Sequence, residues 1–175
     1  MKILLCIDVQ NGFVNDNSKD IVKPIINATR SSKFNYIIAT QFINTKSSVY
    51  YTKLNWKRLI QEPEINLVDG LNYDVSYKKK SYSSYTDKFK EIVSTKNIIK
   101  NDEIYICGID TDCCVLFTAI DLFQKGYNIY VVEDICASTG GKEIHENALN
   151  ILRRNIGRNR VLKYENISDW FMHKS

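Results

Sequence analysis

Short apolar runs alternate along this chain with segments whose apolar residues recur at helical spacing. The first run spans residues 2 to 9, with Ile3-Leu4-Leu5-Cys6-Ile7 leading into Asp8. It predicts a strand buried on both faces. Ile21, Val22, Ile25, Ile26 and Ala28 then predict a helix over 21–31, with Asp20 as its cap and Pro24 tolerated near the first turn. Tyr36 to Thr40 reads as a second buried strand. After a long polar and aromatic connection, Leu54, Trp56, Leu59 and Ile60 predict a short helix. Tyr73 to Tyr77 alternates weakly and reads as a third strand running into Lys78-Lys79-Lys80. Thr86 is placed to cap a helix carrying Phe89, Ile92 and Val93. Ile104 to Cys107 is a fourth strand ending at Gly108. Val115, Leu116, Ala119, Ile120, Leu122 and Phe123 predict a helix over 112–125, capped by Thr111 or Asp112 and stopped by Gly126. Tyr127 to Val132 is a fifth strand ending at Glu133-Asp134. A helix starting at Ser138 or Thr139 and running to about 155 would turn Ile144, Ala148, Leu149, Ile151 and Leu152 inward. Val161-Leu162 is a last, short strand.

Strands alternating with helices predict an α/β fold: a three-layer α-β-α sandwich around a mainly parallel, Rossmann-like sheet. In such sheets ligands bind beyond the carboxyl ends of the strands. There is no internal repeat, low-complexity segment or linker, so a single domain over 1–175 is expected. No G-x-G-x-x-G or P-loop pattern supports a dinucleotide or nucleotide site.

Composition narrows the classes. Apolar residues make up 44% and charged residues 25% of the 175, as in an ordinary globular protein. The net charge of +4 is mild and the basic residues are scattered, except at Lys78-Lys79-Lys80 and from Arg153-Arg154 to Arg160. These read as solvated surface, and no nucleic-acid partner is expected. Asp8 ends the first apolar run too early for a secretory core or a membrane span, so no membrane partner and a cytoplasmic location are expected. Five cysteines, an odd number mostly in or beside apolar runs, fit reduced thiols better than a disulfide framework.

The candidate chemistry gathers at one edge. Cys114 falls in the first turn of a helix at the end of a strand, where unpaired amides and the helix dipole would favour a thiolate over the ordinary thiol, whose pKa is about 8.5. The same position suits a small buried residue. Asp8 ends the first strand and the lysine run ends the third, so a carboxylate and an ammonium should share the rim with the thiol. A carboxylate can accept the thiol's proton, and an ammonium can hold both anions and polarise a carbonyl. No histidine is needed. Of the two in the chain, His145 lies near a helix start and His173 in the tail; structural or exposed roles are expected for both.

Four motifs, in order, carry a resemblance that covers nearly the whole chain. They are Ile7-Asp8-Val9-Gln10-Asn11-Gly12-Phe13, Lys79-Lys80-Ser81-Tyr82-Ser83-Ser84-Tyr85, Gly108 to Val115 continued by Thr118-Ala119, and Asp134-Ile135-Cys136-Ala137-Ser138. Together they resemble the isochorismatase-like cysteine hydrolases, which include nicotinamidases and N-carbamoyl amidohydrolases, and His145 falls where that family often has a histidine. The resemblance implies Asp8 as general base, Cys114 as nucleophile with Cys113 a bystander, and Lys79 as the catalytic lysine. It implies a cis peptide at Ile109-Asp110, backbone N–H groups of Asp110 and Cys114 as an oxyanion hole, and Gln10 and Phe13 near the pocket. Trp56, Tyr50 and Tyr51 would line the pocket or pack at a subunit contact, because the family is commonly oligomeric; a dimer or tetramer is expected.

The chain departs from the nicotinamidase pattern after its second strand. There the resemblance implies metal-binding histidines, but Thr40 is followed by Gln41-Phe42-Ile43-Asn44, and no histidine occurs before residue 145. No metal and no cofactor are therefore expected. The expected activity is cleavage of a C–N bond in a small amide or carbamoyl compound through a Cys114 thioester. The alternatives are a non-covalent vinyl-ether hydrolase using Asp8 and Lys79, and a binding protein that kept the fold.

Overall fold

The structure is a computed structural model that describes residues 1–168. Six strands form one parallel sheet in the order β3-β2-β1-β4-β5-β6. In chain order they are β1 (Lys2–Ile7), β2 (Tyr36–Phe42), β3 (Val75–Lys79), β4 (Glu103–Ile109), β5 (Asn128–Ala137) and β6 (Val161–Leu162). The helices are α1 (Val22–Ala28), α2 (Val49–Thr52), α3 (Asp87–Thr95), α4 (Leu116–Gln124) and α5 (Lys142–Asn155). Strand order reverses between β1 and β4. Every residue of β1 is buried, which is why it reads as a continuous apolar run rather than an alternating one. Ile3, Leu5, Ile106 and Ile129 are inaccessible in the core. Truncating such a side chain to alanine costs about 2–5 kcal/mol.

The class and most elements follow the hydrophobic pattern, with local corrections. Helix α1 is shorter than 21–31. Asp20 sits in a 3-10 turn (Lys19–Ile21) and does not cap it, and the Thr29 hydroxyl takes the Ile26 carbonyl at the other end (2.7 Å). The short helix lies upstream at α2, where Ser48 caps it, rather than over Leu54 to Ile60. The latter segment cannot be helical. Asn55 and Leu59 have positive φ, and the Asn44 side-chain amide donates to the carbonyls of Trp56 and Arg58. Strand β3 starts at Val75 rather than Tyr73 and runs through Lys79, so the lysine run is partly strand. Strand β5 continues past Glu133-Asp134 to Ala137, with a register shift between Ile106 and Gly108 on β4 that absorbs the acidic pair.

The region after β4 differs most. Thr111 and Asp112 do not cap. A π-helical turn (Thr111–Val115) precedes α4, closed by the Val115 N–H donating to the Asp110 carbonyl (3.0 Å). Helix α5 begins at Lys142 because Ser138 and Thr139 are engaged elsewhere. Ala148, Leu149 and Leu152 point inward as expected, whereas Ile144 and Ile151 are 42% and 46% exposed. Thr86 caps α3 by accepting from the Phe89 N–H, and Gly126 follows α4 at φ +80°. All five cysteines are free, and no helix among the described residues is long and apolar enough to cross a membrane. His173 lies outside the described residues.

Candidate active site

The site lies where strand order reverses, beyond the carboxyl ends of β1 and β4. Ile7 pairs with Gly108 across these strands, so the chain leaves the sheet at Asp8 and at Ile109 side by side. Asp8 has φ +49° and its side chain is inaccessible. One carboxylate oxygen accepts from the Thr40 hydroxyl (2.6 Å), and the Asp8 N–H donates to that same hydroxyl oxygen (3.2 Å). The other oxygen lies 2.7 Å from the Lys79 ammonium. Lys79, at the end of β3, also donates to the carbonyls of Ser81 and Tyr82 (2.9 and 3.0 Å), which add to its ion pair with Asp8. Burial pulls the Lys79 pKa down, but Asp8 and then Cys114 outweigh it and hold the pKa above its ordinary value. Of the three lysines, Lys79 is the one turned to Asp8.

Cys114 sits in the π turn and is buried. Its pKa is raised well above that of an ordinary thiol, first by burial and then by the Asp8 charge, with Lys79 opposing. The expectation of a resting thiolate is thereby corrected: removal from water and a neighbouring carboxylate exceed the helix-end field, and the group rests as a thiol beside Asp8. Cys113 also reaches the cavity. Burial, then Asp112, pushes its pKa up to about 12.

The π turn is held at both sides. The Asp110 carboxylate accepts from the N–H and hydroxyl of Thr139 (2.6 and 3.0 Å), while the Thr111 hydroxyl lies 2.7 Å from Nδ1 of His145 on α5. Burial raises the Asp110 pKa to about 6, against the lowering by Thr139. Burial also lowers the His145 pKa, which favours the neutral imidazole. The Ile109–Asp110 peptide is cis. The amides of Cys113 and Val115 both turn to the Asp110 carbonyl, flanking the amide of Cys114.

Asp110, Cys113, Cys114 and Thr139 line a cavity of about 430 Å³, opposite a run of aromatic side chains. Phe13 stacks on Trp56 (6.0 Å between centroids), and Phe42 meets both Trp56 and Tyr50. Tyr50 continues to Tyr82, and Tyr82 to Phe117. Phe13, Tyr50 and Trp56 therefore line the cavity, and Tyr51 does not. Gln10 does not line it either. Its buried amide donates to the carbonyls of Phe42 and Ile65 and accepts from the Phe42 N–H, tying the end of β2 to the 60s loop. Thr40, Arg58, Tyr82 and Thr139 were not singled out from sequence as parts of this site. Thr40 was findable as a polar residue ending a buried strand on the same rim. Arg58 was not, because loop geometry brings it there.

The metal-binding chemistry implied by the nicotinamidase likeness does not fit these residues. The amides of Gln41 and Asn44 are bound to backbone carbonyls. Among the described residues no cluster of three or more His, Cys, Asp and Glu side chains could hold an ion.

Comparison with known proteins agrees with this architecture. An uncharacterized isochorismatase family protein, PncA, from Bacillus subtilis is 27% identical over 89% of this chain and 96% of its own length. Isochorismatase domain-containing protein 2 of Xenopus laevis is 39% identical over 62 residues, which span 35% of this chain and only 29% of that protein. The crystal structure of a pyrazinamidase/nicotinamidase from Streptococcus mutans superposes with a TM-score of 0.75 at 25% identity, covering 90% of this chain and 98% of that one. Residues 2–160 match the isochorismatase domain, and the chain belongs to the isochorismatase family of hydrolases.

Proposed function

We propose that this protein is a metal-independent cysteine amidohydrolase that cleaves the C–N bond of a small amide or carbamoyl compound. The observation that carries the reading is the fully buried Asp8–Lys79 pair, 2.7 Å apart, beneath a cavity that also presents Cys114. A buried ion pair is costly to assemble and is weak evidence for stability alone. Beside a protonated thiol it has a chemical use.

Asp8 takes the Cys114 proton, and the sulfur attacks the substrate carbonyl carbon. Lys79 balances the negative charge while the proton sits on Asp8 or sulfur. The backbone N–H groups of Asp110 and Cys114 receive the oxyanion. The tetrahedral intermediate collapses, the C–N bond breaks, and the leaving nitrogen takes the proton from Asp8. Water then attacks the thioester, giving one proton to Asp8, which returns it to the departing sulfur. The products are ammonia or an amine together with a carboxylic acid from an amide, or a carbamic acid, which loses carbon dioxide, from a carbamoyl compound. The raised Cys114 pKa supports a nucleophile generated by Asp8 during attack rather than a standing thiolate.

Ammonia release from a panel of small amides tests this directly. Cys114→Ala is expected to abolish release and Cys113→Ala to retain it. Release that survives Cys114→Ala would overturn the covalent route.

A further inference from the structure

Arg58 is the cation among the described residues that line the cavity, and the active chemistry does not use it. Its placement is tightly specified. The Asn44 side chain, itself buried, donates to the carbonyls of Trp56 and Arg58 at 2.9 and 3.0 Å. The Asn44 N–H donates to the Leu59 carbonyl (2.7 Å). The Glu64 carboxylate accepts from the Leu59 N–H through one oxygen and from Nε of Arg58 through the other (2.8 and 2.9 Å). Glu64 is in turn fixed against Gly12, whose N–H donates to its carbonyl (2.9 Å) and where a Cβ would lie 2.9 Å from that of Glu64. The guanidinium is thus held through Nε on a clamped segment, and its two terminal amino groups make no hydrogen bond or ion pair among the described residues. Those two amino groups can bind a carboxylate in a two-point manner.

The other charged lining group does not compete for them. The Asp110 carboxylate is engaged by Thr139. Asp8 and Lys79 neutralise each other out of contact with solvent. A bound molecule therefore meets aromatic side chains, an Asp8–Lys79 pair that is neutral overall, and the Arg58 cation in the cavity lining. The cavity volume is near the lower end of the range for small-molecule sites, about 300–1,000 Å³, which suits a compact ligand that reaches both ends.

We infer that Arg58 is a specificity residue that binds a carboxylate on the substrate, so that the preferred substrates are small amides or ureido compounds bearing an acid group. This rests on the amidohydrolase reading above for the reaction, but not for the binding. The pull is moderated by Glu64 and by solvent, because the Arg58 side chain is 53% exposed.

Binding is measured by calorimetry on Cys114→Ala, in which the covalent route is blocked, with oxamate and succinamate against the neutral oxamide and butanamide. The carboxylates are expected to bind more tightly. Arg58→Gln in that background should weaken them about ten-fold or more relative to the neutral amides, with Arg58→Lys falling between. In the active protein the same contrast should appear in KM, with the anionic-to-neutral ratio of kcat/KM falling in Arg58→Gln. Equal binding of charged and neutral compounds, or an equal loss for both in Arg58→Gln, overturns the inference and reduces Arg58 to a strut for the 58–64 loop. The two failures are distinguishable. Ammonia release without the charge contrast sinks the Arg58 role alone. The charge contrast without any ammonia release sinks the amidohydrolase reading alone. If Arg58→Gln fails to melt cooperatively, Arg58→Lys and the charged-to-neutral contrast in Cys114→Ala decide the matter.

Discussion

Asp8 and Lys79 form the ion pair on which the site is built, and neither side chain has any contact with solvent. Each charge is tolerable there only because of the other, together with the Thr40 hydroxyl on Asp8 and the two carbonyls on Lys79. Removing one partner strands the other, which costs about 3–5 kcal/mol, whereas removing both leaves apolar or neutral polar surface. Lys79→Met and Asp8→Asn are each expected to be destabilised by that order in urea unfolding. The double variant should be more stable than the sum of the two losses predicts. Additive losses would mean that the pair is not energetically coupled. Both single variants should also lose turnover, so the double variant should be folded but inactive. Sequence placed Asp8 and a lysine on one rim, but three adjacent lysines were open from the pattern alone. The alternation of side chains along β3 selects Lys79, because Tyr77 and Lys79 are buried while Lys78 between them faces outward.

At the level of elements, the β4–π turn–α4 unit presents the thiol, and its shape depends on two residues whose roles are not interchangeable. Gly108 has φ +123°, and a Cβ there would stand 2.1 Å from the Ile7 carbonyl oxygen on the paired strand. Gly108→Ala is therefore expected to cost about 2 kcal/mol or more, because strain and a backbone collision add. A melting temperature equal to that of the wild type would show that β1 and β4 can part there without penalty. Asp110 fixes the turn from the side by binding Thr139. Its pKa rises from 3.8 to about 6 in the fold, so between these values the folded chain holds more protons than the unfolded one. The stability from this group is present below the unfolded value and is lost as pH rises through the folded one. Compared with Asp110→Asn, the wild type should thus lose up to about 3 kcal/mol of relative stability as pH rises from about 4 to about 7. A constant difference across that range would show that the carboxyl stays ionised throughout. The strand, its end at Gly108 and the helix that follows were legible in the sequence, but the π turn and the Asp110–Thr139 contact were not. The pattern after β4 reads as an ordinary capped helix, and the π turn arises because Thr111 and Asp110 bind α5 and Thr139 instead of capping.

For the whole molecule, the sheet order explains why distant residues meet. Strand order reverses between β1 and β4, so Asp8 and Cys114 follow neighbouring strand ends, while β3, two strands away, sends Lys79 across the end of β2. That convergence was legible because buried parallel strands announce themselves as apolar runs and ligands gather beyond their carboxyl ends. The cavity walls were less so. Trp56 and Arg58 belong to a segment whose positive-φ residues and Asn44 clamp break the periodicity that makes a sequence readable. Residues 41–44 bear on metal use. The end of β2 and the residues that follow it supply two amides, Gln41 and Asn44, already bound to carbonyls, and two apolar side chains in Phe42 and Ile43. His145 stands on α5 with its Nδ1 against Thr111. With those donors, turnover should not depend on a bound ion. Exhaustive dialysis against a strong chelator is expected to leave ammonia release unchanged, and elemental analysis of the purified protein should give well under one zinc or iron per chain. Activity lost to the chelator and restored by a single divalent metal would overturn this, and would require donors other than those that gather around the cavity among the described residues.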